Sequence, residues 1–569
     1  MARIVSFLKR RMDILILFFI WLYSSITHFI WLAIDKLPPW GDGISFVLRG
    51  MDFFYYQNMY GWGRFLTDLF HFDSFYPTPP VIELTYLLYY KIFGICSNAE
   101  MITNSLYLAL GIIGVYGIGK YLFNKYTGLL SALVFTSSPG VLVYSKLGFK
   151  EFHVMCFFAL ALYLLLAADN FKSKKYSILF AISLAVILLI KPEGIIFIIF
   201  PLLLSFTRIF ARKDILKRRK VLNNFTRTMI ITALIFFVWY GVNFFHYTRF
   251  LSERVGSDLG INSIYFSFKD LGLYAYLLWN ELLTKFQILF FIIVSLYVCA
   301  RILLPAHKPL IFKRLAFIWF CFLIPFLIFT FLCEKDASHL LSLLVFVSLV
   351  IAGGCFLVKN NTVRYSIIFI IVLHCINTQL VSLSELGSDR QKIPFLIKLS
   401  PVDNVLYQLR GNIHFPYGRE GNVTRNTWRP HFLKIFKAIK NDYNSRAVKD
   451  KNSRPRVLLL ANSEPFRFFQ AEYYNKKAGM PVSLIFFCVE MEFYKDSIFK
   501  ERYDYIITEE PLDLQYPYHE EARQLQEIYS FIRKNSDKFF KNYEIVTEVE
   551  LPRDTKAVVY KRVNLKYGQ

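Results

Sequence analysis

The chain lacks what a disulfide-braced, zinc-binding or nucleotide-binding protein is built from. Its 569 residues include eight cysteines, which form neither a disulfide framework nor a zinc spacing. Cys156, Cys299, Cys321, Cys355 and Cys375 fall inside long apolar runs, and only Cys96, Cys333 and Cys488 fall outside them. No glycine-rich phosphate loop follows the leading strand-like run of the C-terminal part. Acid is scarce: 42 Asp and Glu stand against 66 Lys and Arg, a net charge of +24. That excess lies largely in short stretches between apolar runs and forms no basic stripe with interleaved aromatics. The pattern excludes nucleic acid as the natural partner and fits the charge asymmetry that orients membrane proteins. The first apolar run has no small-residue cleavage site and is long for a signal-peptide core, so it reads as a retained anchor.

What the sequence has in abundance is apolar length. It is 55% hydrophobic and 18% aromatic, with mean hydropathy +0.39, too apolar for a soluble chain of this size. The run from Met12 to Ile34 is long enough at 1.5 Å per residue to cross a hydrocarbon core of about 30 Å. Arg3, Lys9, Arg10 and Arg11 precede it, which predicts a cytoplasmic N-terminus. A long outer segment follows, about 35–100. Within it the apolar stretch Val81–Phe93 is short for a crossing and reads as an interfacial helix. Further spans are expected at about 102–122, 126–146, 152–168, 176–190, 195–210, 229–247, 286–304, 315–332, 340–358 and 365–383. The fold class is therefore a polytopic α-helical membrane protein with about eleven transmembrane helices. The basic cluster Arg212, Lys213, Lys217, Arg218, Arg219 and Lys220 reads as a cytoplasmic loop and fixes the parity.

The domains read as a transmembrane part (1–385), a connecting segment (386–450) and a C-terminal extracytoplasmic α/β domain (451–569). In the last, 457–461, 483–489 and 505–508 read as buried strands separated by helices at 465–477 and 491–502. A helical stretch at 520–540 and a closing strand pair, 544–551 with 557–563, complete it. The turn Asn462-Ser463-Glu464-Pro465 carries no phosphate-binding signature, and no cofactor is assigned there.

This topology brings polar groups from four outer segments to one membrane boundary: Asp42, Glu151, Lys191 with Glu193, and Glu334, Lys335, Asp336 with His339. Singly, each is an ordinary solvated cap; jointly, acids and bases on one side are what a site between helices needs. Asp42 sits in Trp40-Gly41-Asp42-Gly43, after Pro38 and Pro39, where glycine lets the backbone turn tightly. Lys191 precedes a proline between two apolar runs and serves either as a fixed charge for a phosphate or as an interfacial snorkel. Arg49 and Arg64 bind phosphate or anchor interfacial helices. His153, two residues after Glu151, faces another side of its helix and is not paired with it. His339 shares a face with Asp336 and reads as a cap or a ligand.

Several stretches resemble a known family. They are the outward Asp42, the Tyr76-Pro77-Thr78-Pro79-Pro80 segment leading to a helix ending Phe93-Gly94, and Gly119-Lys120-Tyr121-Leu122-Phe123. Ser137-Ser138-Pro139 followed by Glu151, Leu189-Ile190-Lys191-Pro192-Glu193-Gly194 and His339-Leu340-Leu341 complete the set. In order and spacing they look like the GT-C integral-membrane glycosyltransferases, in the branch of protein mannosyltransferases, aminoarabinose transferases and RgtA/B/C/D-like bacterial enzymes. The resemblance covers about 10–385. It implies transfer of a sugar from a polyprenyl monophosphate donor to a lipid, glycan or protein acceptor at the extracytoplasmic face, in a cell envelope and by expectation in the bacterial inner membrane. It implies Asp42 as general base, Glu151 as second acid and Lys191 as phosphate-facing. Two departures stand out: Gly43 occupies a position where many relatives carry a second acid, and the later acid, commonly Asp, is Glu151, which leaves Asp52 as its alternative. Inverting displacement needs a carboxylate for the acceptor's proton and positive charge at the leaving phosphate, the latter from Lys191 with Arg49 or Arg64. A divalent cation, Mg or Mn, could assist without being required; no metal ligands are assigned. Two other readings share the polytopic, outward-acting pattern: a polyprenyl-diphosphate-dependent O-antigen ligase or polymerase, and a lipid or sugar transporter. The transporter would call for charged residues within spans and internal repeats, which are not apparent.

Overall fold

A computed structural model describes residues 12–34, 42–69, 79–95, 99–211, 214–245, 248, 268–303, 310–331, 337–384, 428–445, 455–460, 475–476, 483–486, 503–510, 519–551 and 555–563. The chain divides into two compact units. The first comprises Met1–Ile34, Phe53–Lys91 and Ala99–Arg419; the second comprises Asp35–Asp52, Ile92–Asn98 and Glu420–Gln569.

The first unit is helical. Helix α1 (Met12–Ile34) is followed by α2 (Asp42–Asp68), which the two units share and which is interrupted at Gly61, and by α3 (Val81–Phe93). Then come α4 (Asn104–Leu122), α5 (Lys125–Thr136), α6 (Pro139–Leu147), α7 (Lys150–Ala167), α8 (Lys174–Ile190), α9 (Ile195–Phe210) and α10 (Ile215–Tyr240). The remainder is α11 (Phe268–Leu277), α12 (Lys285–Leu303), α13 (Leu310–Phe331), α14 (Leu343–Cys355) and α15 (Asn361–Ser384). Each apolar run read as a span contains at least one of these helices. Among the described residues seven helices are individually long and apolar enough to cross a membrane, and the pair α5 and α6 makes an eighth if it crosses as one broken span. Lys285–Ala300 and Leu343–Cys355 are shorter apolar helices. Large side chains such as Phe19, Leu234, Leu296 and Phe369 are exposed, as lipid-facing positions are. The protein is an integral membrane protein.

Two expectations are corrected. The run at 126–146 is two helices bent by 57° at Ser137 and Ser138, because Pro139, the first residue of α6, has no N–H with which to continue α5. The carbonyls freed at the break are satisfied by side chains, as an apolar surrounding requires. Gln287 Nε2 donates to Val134 O at 3.4 Å, and Gln379 Nε2 to Thr136 O at 3.4 Å and to Ser24 Oγ at 3.0 Å. The basic cluster after α9 is only partly a loop. Lys217 to Lys220 lie in the first turns of α10, while Arg212 and Lys213 lie outside the described residues.

The most intimate helix packing is α4 on α7, and a glycine makes it possible. A Cβ on Gly114 would lie 2.3 Å from the backbone carbon of Ala159, so the two backbones approach as only a missing side chain allows. Helix α1 packs on α4 and α5, with Trp21 Nε1 donating to Ser105 O at 2.8 Å. Phe53, Phe65 and Leu69 cluster with Leu87 of α3 and with Trp239 and Tyr240 of α10.

In the second unit, α16 (Trp428–Ser445), α17 (His519–Lys534) and α18 (Ser536–Asn542) accompany a five-stranded sheet. Its strands are β1 (Arg456–Leu460), β2 (Ser483–Phe486), β3 (Tyr505–Glu510), β4 (Tyr543–Leu551) and β5 (Thr555–Arg562), in the order β2-β1-β3-β5-β4. The first three are parallel and the last two pair antiparallel. Leu458, Leu460, Ile506, Ile528, Phe539 and Val558 form its core. The helices expected at 465–477 and 491–502 lie almost wholly outside the described residues.

Candidate active site

The site is built around the corner between α6 and α7. Gly148 closes α6 with φ 74°, a left-handed conformation that favours glycine, and a Cβ there would meet Met101 Sδ at 3.0 Å and Tyr86 Oη at 3.2 Å. Polar side chains then tie the corner to α4. Asn104 Nδ2 donates to Ser145 O at 2.7 Å, and its Oδ1 lies 3.0 Å from His153 Nε2. His153 Nδ1 lies 2.9 Å from Phe149 O, and the Tyr107 ring meets the imidazole edge-on at 4.4 Å. Asn104 and His153 are both fully buried. His153 thus faces α4 and not Glu151, as its spacing requires.

Glu151 stands in the first turn of α7, beside this strap. Lys191 stands at a second fixed corner, the end of α8. Its extended backbone (φ −158°, ψ 113°) leads into Pro192, its N–H donates to Ile187 O at 2.9 Å, and its carbonyl accepts from Gly194 N at 3.0 Å. Only the side chain is left to move. It reaches across 40 positions of sequence to place Nζ 2.5 Å from Glu151 Oε1. The side chains retain 24% and 16% of their exposure, so the pair is shielded without being sealed. A charge pair so placed in a membrane protein reads as functional by default.

His339 completes this group. It lies in the short turn Ala337–Leu340, which packs against α7. The Phe329 ring stacks on it at 5.8 Å with an interplanar angle of 21°. The buried Nδ1 of His339 has no hydrogen-bond partner among the described residues.

Asp42 is the first residue of α2; its side chain lies outside what the structure describes. Arg49, in the same helix, is buried. Asp52 accepts from Lys476 Nζ at 2.6 Å within the second unit. Arg64 is directed to its own helix: its Nε donates to Asp68 Oδ2 at 3.2 Å, and its guanidinium lies 5.1 Å from the Tyr60 ring centroid. The Tyr56 hydroxyl, donating to the same Asp68 oxygen at 2.5 Å, holds the Asp68 carboxyl below its usual range. Glu193 is exposed beside Lys191. Glu334, Lys335 and Asp336 lie outside the described residues. Among the described residues no group of three or more His, Cys, Asp or Glu converges as a metal site would.

Sequence reasoning missed the strap and the buried charges around it. Glu83, Lys146 and Lys150 are all buried, and Lys146 Nζ lies 5.2 Å from the Trp31 ring centroid. The available signal was a polar or charged residue amid apolar ones, as at Glu83 in Val81-Ile82-Glu83-Leu84 and at Asn104 in the opening turn of a span.

A fold of this kind is known. Residues 77–240 match the family model described as dolichyl-phosphate-mannose-protein mannosyltransferase. Among solved structures, the chain is similar to ArnT from Cupriavidus metallidurans bound to undecaprenyl phosphate. That match has a TM-score of 0.56 and 11% identity, over 96% of this chain and 98% of that one. The same protein in its apo state gives 0.52 and 10%, over 95% and 97%. The arabinofuranosyltransferase AftD from Mycobacteria gives 0.52 and 10%, over 96% of this chain and 40% of the longer AftD chain. No curated protein matches by sequence. The fold is that of the GT-C membrane glycosyltransferases. Within that class, the segment carrying α3 to α10 is the one that matches the mannosyltransferase family model.

Proposed function

We propose that this protein transfers a sugar from a polyprenyl monophosphate donor to a lipid, glycan or protein acceptor, with inversion, at the extracytoplasmic face of a bacterial inner membrane. The observation that carries the reading is the Glu151–Lys191 pair, held at two rigid corners of a GT-C fold. Lys191 supplies positive charge for the phosphate, where negative charge accumulates as the sugar–oxygen bond breaks. Arg49 is the second candidate cation, while Arg64 is held by Asp68. Asp42 takes the acceptor's proton as the acceptor oxygen or nitrogen bonds to the anomeric carbon, and the bonding pair of the broken bond leaves with the phosphate. The ArnT structure holds undecaprenyl phosphate, which is the kind of leaving group this step releases.

The test is a donor panel. Purified protein receives polyprenyl monophosphate sugars and, separately, polyprenyl diphosphate oligosaccharides, with native lipid extract as acceptor. Consumption of a monophosphate donor, with the sugar's mass added to an acceptor, is expected. Consumption of a diphosphate donor alone would mean a ligase or polymerase, and a sugar or lipid carried across vesicles with no bond made would mean a transporter.

A further inference from the structure

The ammonium best placed for a donor phosphate is already held by a carboxylate. Glu151 Oε1 lies 2.5 Å from Lys191 Nζ; the Lys191 backbone is fixed by its hydrogen bonds to Ile187 and Gly194, and Glu151 stands in the first turn of α7. A phosphate arriving at Lys191 brings negative charge against that carboxylate in a partly shielded setting, where like charges repel strongly. Either the phosphate is excluded or Glu151 moves. His339 offers the place to move to. Its turn, Ala337–Leu340, packs on α7, the helix whose first turn carries Glu151, and its buried Nδ1 has no hydrogen-bond partner among the described residues. A buried ring nitrogen left unpaired costs free energy in the resting state, and a partner gained in another state of the protein relieves that cost. The Phe329 ring stacked on the imidazole fixes its plane, so the nitrogen is preset.

We propose that Glu151 is a two-position carboxylate, seated on Lys191 in the resting protein and on His339 when the phosphate of a polyprenyl phosphate takes Lys191. The inference rests on the donor reading given above. It makes His339 a positioning residue: it touches neither phosphate nor sugar and acts by receiving Glu151. No covalent bond changes in the switch. The Nδ1–H of His339 donates to the carboxylate that Lys191 has released, and Lys191 donates to the phosphate. Donor occupancy and the position of Glu151 are then one event, so the site assembles only around a phosphorylated lipid.

The experiment titrates undecaprenyl monophosphate into the purified full-length chain and reads the dissociation constant for wild type, Glu151→Gln, His339→Phe and the double variant. Removing the competing carboxylate should tighten binding about five- to tenfold, and removing its second seat should weaken binding by a similar factor. The distinguishing result is the double variant: with no carboxylate to be seated, His339→Phe should have no effect. Simple charge repulsion without a second seat predicts instead that His339→Phe is silent in both backgrounds. That outcome overturns the proposal, as does weaker binding by Glu151→Gln, which would make Glu151 a ligand of the phosphate rather than its competitor. If Glu151→Gln does not fold, His339→Phe alone decides, since unchanged affinity contradicts the switch. If folded wild type binds no undecaprenyl monophosphate at all, the donor reading fails first and the switch with it.

Discussion

At the scale of single residues, two kinds of polar contact have different origins and different consequences. The Glu151–Lys191 pair connects two corners; the Asn104–His153 strap makes one of those corners. The strap is fully buried, so removing one member leaves the other without its partner, at a cost of about 1–3 kcal/mol. We expect Asn104→Ala to lower the thermal midpoint of the purified protein measurably, while Glu193→Ala, an exposed change beside Lys191, leaves it unmoved. The sequence placed Glu151 and Lys191 at the same boundary through span parity alone. It did not pair them, because nothing local connects residues 40 apart; the pairing is made by α8 running antiparallel to α7. The strap was not legible for the same reason. Asn104 reads as a polar residue opening a span, and only the approach of α7 gives it a function.

At the scale of elements, the helices were the most legible feature, since apolar length is written directly in the sequence. What was not legible is where tertiary contacts overrule local pattern. Helix α2 contains Gly43, Gly50, Gly61 and Gly63, poor helix formers each, yet it forms around buried Ile44, Val47, Met51 and Phe53. The break between α5 and α6 was visible as Ser137-Ser138-Pro139 but lay inside one continuous apolar run. The carbonyls at its bend are met by Gln287 and Gln379, from helices more than a hundred residues away. The packing of α4 on α7 gives a direct test. Gly114→Val must push the α7 backbone away from a contact of 2.3 Å, and overpacking of that kind costs about 1–3 kcal/mol or more. A loss of midpoint larger than that of Gly272→Val, where a Cβ meets nothing within 4 Å, is the expected outcome in parallel melts.

At the scale of the whole molecule, the division into units differs from the simple order of spans and then tail. The stretch Asp35–Asp52, with Asp42 and Arg49, belongs to the same compact unit as Glu420–Gln569, and Lys476 holds Asp52 at 2.6 Å. The α/β sheet was legible from its alternating runs and turns, and all five strands form where those runs stand. That the sheet's unit includes the proposed catalytic carboxylate was not, because the two stretches are separated by nearly the whole membrane part. It follows that excising 420–569 should leave a chain that still inserts in membranes but has lost sugar transfer, read by membrane flotation and by turnover on the same preparation. Retained turnover would mean that the 35–52 segment needs nothing from the tail.

The account stands most directly on Asp42. The decisive measurement is release of free polyprenyl monophosphate, followed by mass spectrometry, from wild type and Asp42→Asn given the same consumed donor and acceptor. We predict that the variant keeps the wild-type melting profile and still binds undecaprenyl monophosphate, while its turnover falls by at least about a hundredfold, the range of a lost general base. Turnover near that of wild type in the folded variant would contradict the account.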